Sequence, residues 1–177
     1  MTLPRLTYAQ EVTSTTNYSF IIDCSLMPAA LTTSVPKARA TSGADDRKSA
    51  AGLGDLASKE SDAKIYNKIE VMKYDGSATG GRDKVSWATA VNWCNAHNYD
   101  GTRDCWRLPT YREMLLICAM HPKVNSFSMS FSSEWYWTAT DTDATTACVV
   151  NFSEPVSAQT NRPKADKLIY RCVRDVQ

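Results

Sequence analysis

Cys105-Trp106-Arg107-Leu108-Pro109-Thr110 stands between two stretches of helical periodicity and decides how they join. Glu113 follows Thr110 at the third position. That spacing is a capping box: the threonine hydroxyl accepts from the Glu113 amide, and the carboxylate accepts from the Thr110 amide. A helix therefore begins just after Thr110. Pro109 pushes Leu108 into extended backbone and is placed to staple onto Met114. Trp106 and Leu108 share one side of the extended bridge and are expected in the core. Arg107 points the other way, or reaches for carbonyls that the bend leaves. Trp106, Arg107, Pro109, Thr110 and Glu113 thus read as structural residues.

Outward from this bridge, Ser86 to His97 reads as a helix. Ser86 can cap it, and Trp87, Ala90, Val91 and Cys94 form a stripe facing a core. The second helix runs from Tyr111 to about Met120, where His121-Pro122 closes it. Ala63 to Lys73 is a strand, with Ile65, Ile69 and Val71 on one parity. Trp135–Thr140 and Ala147–Phe152 are strands around a polar turn, and Ser153-Glu154-Pro155 can turn a hairpin. Asn161–Asp166 reads as polar loop and Lys167–Val173 as the last strand. Segregated helices and antiparallel strands mean an α+β fold. Upstream, Thr16–Asp23 is a strand with no evident hairpin mate, so it must pair with something distant or with another chain. Ser34–Asp62 is small and polar, with too little apolar surface to offset its ordering, and reads as a flexible linker or mobile insert. Residues 1–33 are therefore a strand-bearing extension, 34–62 a linker and 63–177 the main domain.

The 20 basic and 19 acidic residues nearly balance, which argues against a nucleic-acid binder. No apolar run approaches the length of a membrane span. Thr2–Gln10 lacks the apolar core of a signal peptide. Six cysteines, at 24, 94, 105, 118, 148 and 172, suit an exported protein with three disulfides. Fifteen pairings are open from spacing alone, and buried free thiols are the other reading. There is no C-x-x-C and no Cys/His pair at zinc-ligand spacing, so no structural metal site is expected.

Four separated motifs then combine: Trp87 to Cys94, Trp106-Arg-Leu-Pro-Thr110, Tyr136-Trp-Thr-Ala-Thr140 and Arg171-Cys-Val-Arg174. Together they resemble a bacterial family of C-type-lectin-like domains, found on surface and fimbrial proteins and as the C-terminal domain of a collagen-like adhesin. The resemblance covers about residues 64–177. It implies two helices flanking a small curled antiparallel sheet with the termini close together. It also implies export to the cell surface and a bridge from the first helix to the last strand, here Cys94–Cys172. In the chain-entropy model such a long loop is worth roughly 4 kcal/mol. Cys118 and Cys148 stand where large apolar side chains are expected, so a pair between them is expected in the core, leaving Cys24 with Cys105.

Nothing in the chain reads as catalytic. His97 and His121 stand at helix ends, where imidazolium suits the dipole, and no nucleophile elbow or phosphate loop is present. A fold relative, the formylglycine-generating enzyme, uses cysteines, but its core motifs are not matched. Calcium would need several converging oxygens; the candidates are Glu134, Asp141, Asp143, Asn151 and Glu154. Glu154-Pro155 lacks the following asparagine of the lectin Glu-Pro-Asn motif, so no cofactor is expected, with calcium the one to test. Trp135 and Trp137 share one face of their strand; Trp137 is expected in the core and Trp135 partly over the sheet, where a flat ring can stack on a sugar or anchor a protein. The ligand face is thus expected around Trp135, Glu134, Asp141, Asp143 and Asn161. The partners are a glycan or matrix protein, or other fimbrial subunits if Thr16–Asp23 adds to a neighbour's sheet.

Overall fold

A computed structural model describes residues 11–14, 19–34, 65–76, 83–97, 106–124, 134–153 and 156–176. The expected linker, apart from Ser34, and Cys105 lie outside the described residues. β1 (Glu11–Ser14), β2 (Ser19–Asp23), β5 (Lys68–Met72) and β9 (Val173–Asp175) form one antiparallel sheet in the order β1-β2-β5-β9. β3 (Thr32–Thr33) and β4 (Ile65–Tyr66) make a short parallel pair. β6 (Trp135–Asp141), β7 (Thr146–Asn151) and β8 (Ser157–Pro163) form a second antiparallel sheet. The helices are α1 (Trp87–Ala96) and α2 (Tyr111–Val124). The fold is α+β, as the order of elements implied, with the strands divided between two small sheets.

The bridge behaves as its spacing demands. Thr110 N–H donates to Glu113 Oε2 at 2.8 Å, and Glu113 N–H donates to Thr110 Oγ1 at 3.3 Å. Trp106 and Leu108 are buried, as is Pro109, whose carbonyl accepts from Ala139 at 2.7 Å. Arg107 turns into the structure and not out of it. Only 1% exposed, it grips both oxygens of the fully buried Glu113 at 2.7 and 2.9 Å and also pairs with Asp175 on β9. Burial alone would lower the guanidinium pKa; the Glu113 charge and hydrogen bonds, then those of Asp175, outweigh it and hold the pKa above its ordinary value.

Two apolar clusters fill the interior. The first sheet and α2 enclose one, with Phe20, Ile22, Ile69, Val71, Met114 and Ile117 among its residues. The other lies between α1 and the second sheet and holds Trp87, Val91, Trp106, Leu108, Trp137 and Val149. β6 runs between them. Tyr136 enters the first cluster while Trp137 and Ala139 enter the second, so both parities of this strand are buried. α1 meets the expectation fully: Ser86 accepts from the Thr89 amide, and Trp87, Ala90, Val91 and Cys94 are the buried stripe. His97 is its C-cap and sets its ring edge-on to Trp106.

Several expectations are corrected. Of the strand expected over Thr16–Asp23, residues 16–18 lie outside the described residues; Ser19–Asp23 pairs with the distant β5, one of the two expected outcomes, and also with β1, a hairpin mate that the sequence does not show, and Phe20 and Ile22 sit in the first cluster. α2 continues past Met120 through Pro122 to Val124; Pro122 has no amide to give the Cys118 carbonyl, so the last turn carries one ladder bond fewer without ending at the proline. Ser157–Pro163 is a strand, including Asn161–Pro163, which the sequence presents as polar loop. It lies at a sheet edge, exposed on both sides, and so carries no hydrophobic alternation. Lys167–Val173 is not one strand: Leu168 and Ile169 make single bridges to Val85 and Tyr136 before β9 begins.

The cysteines divide. Cys94 and Cys172 are bonded, with Cα atoms 5.5 Å apart. The pairs Cys118–Cys148 and Cys24–Cys105 do not form, since Cys24, Cys118 and Cys148 are buried and outside any disulfide. Cys118 lies on α2 within the first cluster and Cys148 on β7. Burial first, then the Asp23 and Glu113 charges, pushes the Cys24 thiol up to about 12; burial and Asp141 do the same to Cys148.

Two measurements check this account. Arg107→Met should cost about 3–5 kcal/mol by stranding the buried Glu113 charge, and Arg107→Met/Glu113→Leu should recover part of that loss; equal denaturation midpoints for the single variant and the parent would exclude the clamp. Iodoacetamide should leave Cys24, Cys118 and Cys148 unmodified in the folded protein and label them after denaturation, as peptide mapping would show.

Candidate functional site

The residues singled out from the sequence fall at two ends of one sheet. Glu134 and Trp135 begin β6, and Asp141 ends it. Seven residues of strand separate Glu134 from Asp141 by about 20 Å. They cannot close on one cation. Glu134 pairs with Lys84 at 2.9 Å. Asp141, 1% exposed, receives Lys164 Nζ at 2.6 Å. Asp143 accepts from the amides and hydroxyls of both Thr145 and Thr146 at 2.6–2.8 Å. Each carboxylate is thus committed locally. Among the described residues no group of three or more His, Cys, Asp or Glu side chains is placed to hold a metal.

The hairpin-tip end is a structural clamp. Besides Asp141, the Lys164 ammonium reaches the Asp143 carbonyl at 3.2 Å and lies 4.2 Å from the centroid of the Trp87 ring. The Lys164 backbone accepts from Trp87 N–H and donates to the Thr145 carbonyl. The β6–β7 tip is therefore tied to the start of α1. Asn161 is exposed on β8 near this end, beside the register shift opposite Ala147 and Val149.

The other end is different. The register pairs Trp135 with Asn151 and Asn151 with Ser157. One step along, Trp137 pairs with Val149 and Val149 with Gln159. Residues directly opposite one another, and residues two apart, share a face. Trp135, Asn151, Ser157 and Gln159 therefore stand on one face, which leaves the second cluster and comes to the surface. Trp135 and Asn151 are half-buried; Ser157 and Gln159 are exposed. Two strand spacings, about 10 Å, span the row from Trp135 to Ser157. Asn151 is fixed by accepting the Ser153 amide at 2.7 Å, which leaves its two N–H donors. Trp135 packs on the second cluster below it. The sheet beneath is rigid: Trp137 donates its indole N–H to Val85 at 2.8 Å, and the Phe152 ring meets Tyr136 edge-on at 5.0 Å.

Trp135 is thus placed as expected, partly covering the sheet, and Trp137 is core. Glu134 lies beside Trp135; Asp141, Asp143 and Asn161 lie towards the far end. The sequence offers Asn151 only as a calcium candidate and gives no sign of Ser157 and Gln159, because the pairing of three strands brings them together and β8 has no periodic signal. Sequence reading also missed two buried ion networks. Arg171 pairs with Asp75, which accepts from the Tyr136 hydroxyl. Arg174 pairs with Glu70, which accepts from Ser19.

The chain belongs to the Lcl C-terminal domain family. The family's sequence model matches residues 58–174. This is a bacterial C-type-lectin-like family, and the two helices and small antiparallel sheets agree with it. No curated protein matches the chain. The domain is a C-type-lectin-like surface module, and its disulfide fits an extracellular setting. Among the described residues no helix is long and apolar enough to cross a membrane.

The clamp end yields a pH prediction. The Thr146 hydroxyl first, then the Thr145 amide and hydroxyl, hold the Asp143 carboxyl well below the usual carboxylate range. A depressed folded pKa stabilises above the ordinary value near 3.9 and is lost as pH falls through the folded value. Melting midpoints of the parent and Asp143→Ala should therefore differ at pH 7 and converge between about pH 4 and pH 1. A difference that widens towards acid would contradict the hydrogen-bonding pattern.

Proposed function

We propose that the domain is a non-enzymatic adhesion module of an exported bacterial cell-surface or fimbrial protein, binding a glycan or a matrix protein through the face of Trp135, Asn151, Ser157 and Gln159. The observation that carries this reading is the row itself. A flat ring stands in register with an amide and a hydroxyl on a sheet braced from below. Sugar rings present an apolar C–H side and a rim of hydroxyls, and this arrangement offers a counterpart to both. Lys84 and Glu134 offset each other beside it.

Two other roles fit less well. Assembly by donation of Thr16–Asp23 would require β2 to leave β1 and β5 and to expose Phe20 and Ile22. Cysteine catalysis of the formylglycine-generating type needs a thiolate, and Cys24 and Cys148 are buried with pKa values pushed up to about 12. No cofactor is part of the proposal, since Glu134, Asp141 and Asp143 are separated and locally paired.

A panel of immobilised glycans and matrix proteins, probed with calcium and with EDTA, tests the reading. Binding should survive EDTA. Trp135→Ala should weaken it at least tenfold, and Asn151→Ala by a smaller factor, with circular dichroism unchanged. Binding abolished by EDTA, or undiminished in Trp135→Ala, would overturn the assignment.

A further inference from the structure

The second sheet has one closed edge and one open edge. Beyond β6, the Trp137 amide donates to the Ile169 carbonyl at 2.9 Å, the Ile169 amide to the Trp135 carbonyl at 3.2 Å, and the Ala139 amide to the Pro109 carbonyl at 2.7 Å. β8, at the opposite edge, pairs among the described residues with β7 alone. None of its residues is buried. An edge strand turns a row of N–H and C=O groups away from its sheet, so β8 offers a ladder that another strand can complete.

The strand is not equally open along its length. Val149 and Ala147 are two residues apart on β7, but their partners Gln159 and Arg162 are three apart on β8. The extra residue is a bulge at Thr160–Asn161, which interrupts the ladder. Arg162 carries a charge, held by Asp166 at 2.7 Å, and Pro163 has no N–H to give. Bulge, charge and proline all discourage edge pairing, and all three lie in the C-terminal half. Val156, Ser157, Ala158 and Gln159 carry none of them. Val156 is 45% exposed, an apolar side chain left in water immediately before the strand. Alternation sets Val156 and Ala158 on one face and Ser157 and Gln159 on the other.

We infer that β8 pairs antiparallel with β8 of a second copy of this chain, centred on Ala158, and joins two three-stranded sheets into one of six strands. The edge is complementary to itself in that register. Ala158, small and exposed, faces its own counterpart; Ser157 faces the partner's Gln159; Val156 faces the partner's Thr160 with its apolar methyl. No charge opposes a like charge, and a single two-fold axis serves both copies. About five residues a side bury far less than the ~800 Å² per partner of a stable interface, so the pairing is reversible. The axis stands normal to the sheet and keeps the Trp135 faces of both copies on one side, with the two rings about 25 Å apart across five strand spacings. Where that face binds a ligand, as proposed above, pairing makes the module bivalent; the pairing itself does not depend on that reading.

Sedimentation equilibrium of the full chain over a range of concentrations tests this inference. A reversible monomer–dimer equilibrium is expected. Ala158→Lys sets two ammonium groups across the axis, and Ala158→Asp two carboxylates. Each substitution should weaken association at least tenfold, with circular dichroism unchanged. An equimolar mixture of these two variants sets opposite charges across the axis and should associate again, which misfolded chains would not do. Trp135→Ala should dimerise like the parent, so a failed ligand reading and a failed pairing are read apart. A parent that stays monomeric at every concentration, a dimer unaffected by either Ala158 substitution, or a mixture no more associated than its components would overturn the pairing.

Discussion

The Arg107–Glu113 ion pair is the interaction on which the structure turns. Both side chains are removed from water, and each satisfies more than the other. Glu113 also accepts from the Thr110 amide and so caps α2. Arg107 also reaches Asp175 and the Leu108 carbonyl, while its backbone bridges to Val173. One buried charge pair thus fixes the entry to α2, the extended bridge before it and the C-terminal strand. Burying two charges is costly unless the geometry is good and the remaining polar atoms find partners. The bidentate contact and the capping box meet most of that demand. The pair sits where both clusters converge: Trp106 and Leu108 belong to one, and Met114 and Ile117 to the other.

The same pattern recurs around the first sheet. Asp75–Arg171–Tyr136 and Ser19–Glu70–Arg174 set carboxylates on or beside β5 against arginines of the last segment. The terminal Arg171-Cys172-Val173-Arg174 therefore does three things at once. Its arginines neutralise two acids, its cysteine binds α1, and its valine fills the first cluster. Cys24 and Cys118 behave as small core residues, and the disulfide among the described residues joins α1 to the last segment across a sequence separation of 78.

A strand buried on both faces also explains where a ligand can be met. β6 is enclosed along most of its length, so the part it leaves accessible is its start, where Trp135 comes out of the second cluster in register with Asn151 and Ser157, the face proposed for a ligand. Its other end is spent on attachment, with Lys164 holding Asp141 and Trp87. Acidic residues on one hairpin thus serve unlike ends.

Local pattern determined a good deal. The capping box at Thr110 and Glu113, the stripe of α1, the core places of Trp106, Leu108 and Trp137, and the α+β order all follow from neighbours within four residues, so one sequence suffices to read them. The first-helix to last-strand disulfide followed from family resemblance. Contacts between distant residues were decided by tertiary structure alone. The pairing of β2 with β5, the inward turn of Arg107, the unbridged state of Cys118 and Cys148, and the row from Trp135 to Ser157 all depend on register and on which surfaces meet. A polar edge strand such as β8 carries no periodicity to betray it, and an acid–base pair fifty or more residues apart leaves no local trace. Packing, not propensity, brings such groups together, and its outcome is fixed only when the whole chain has closed.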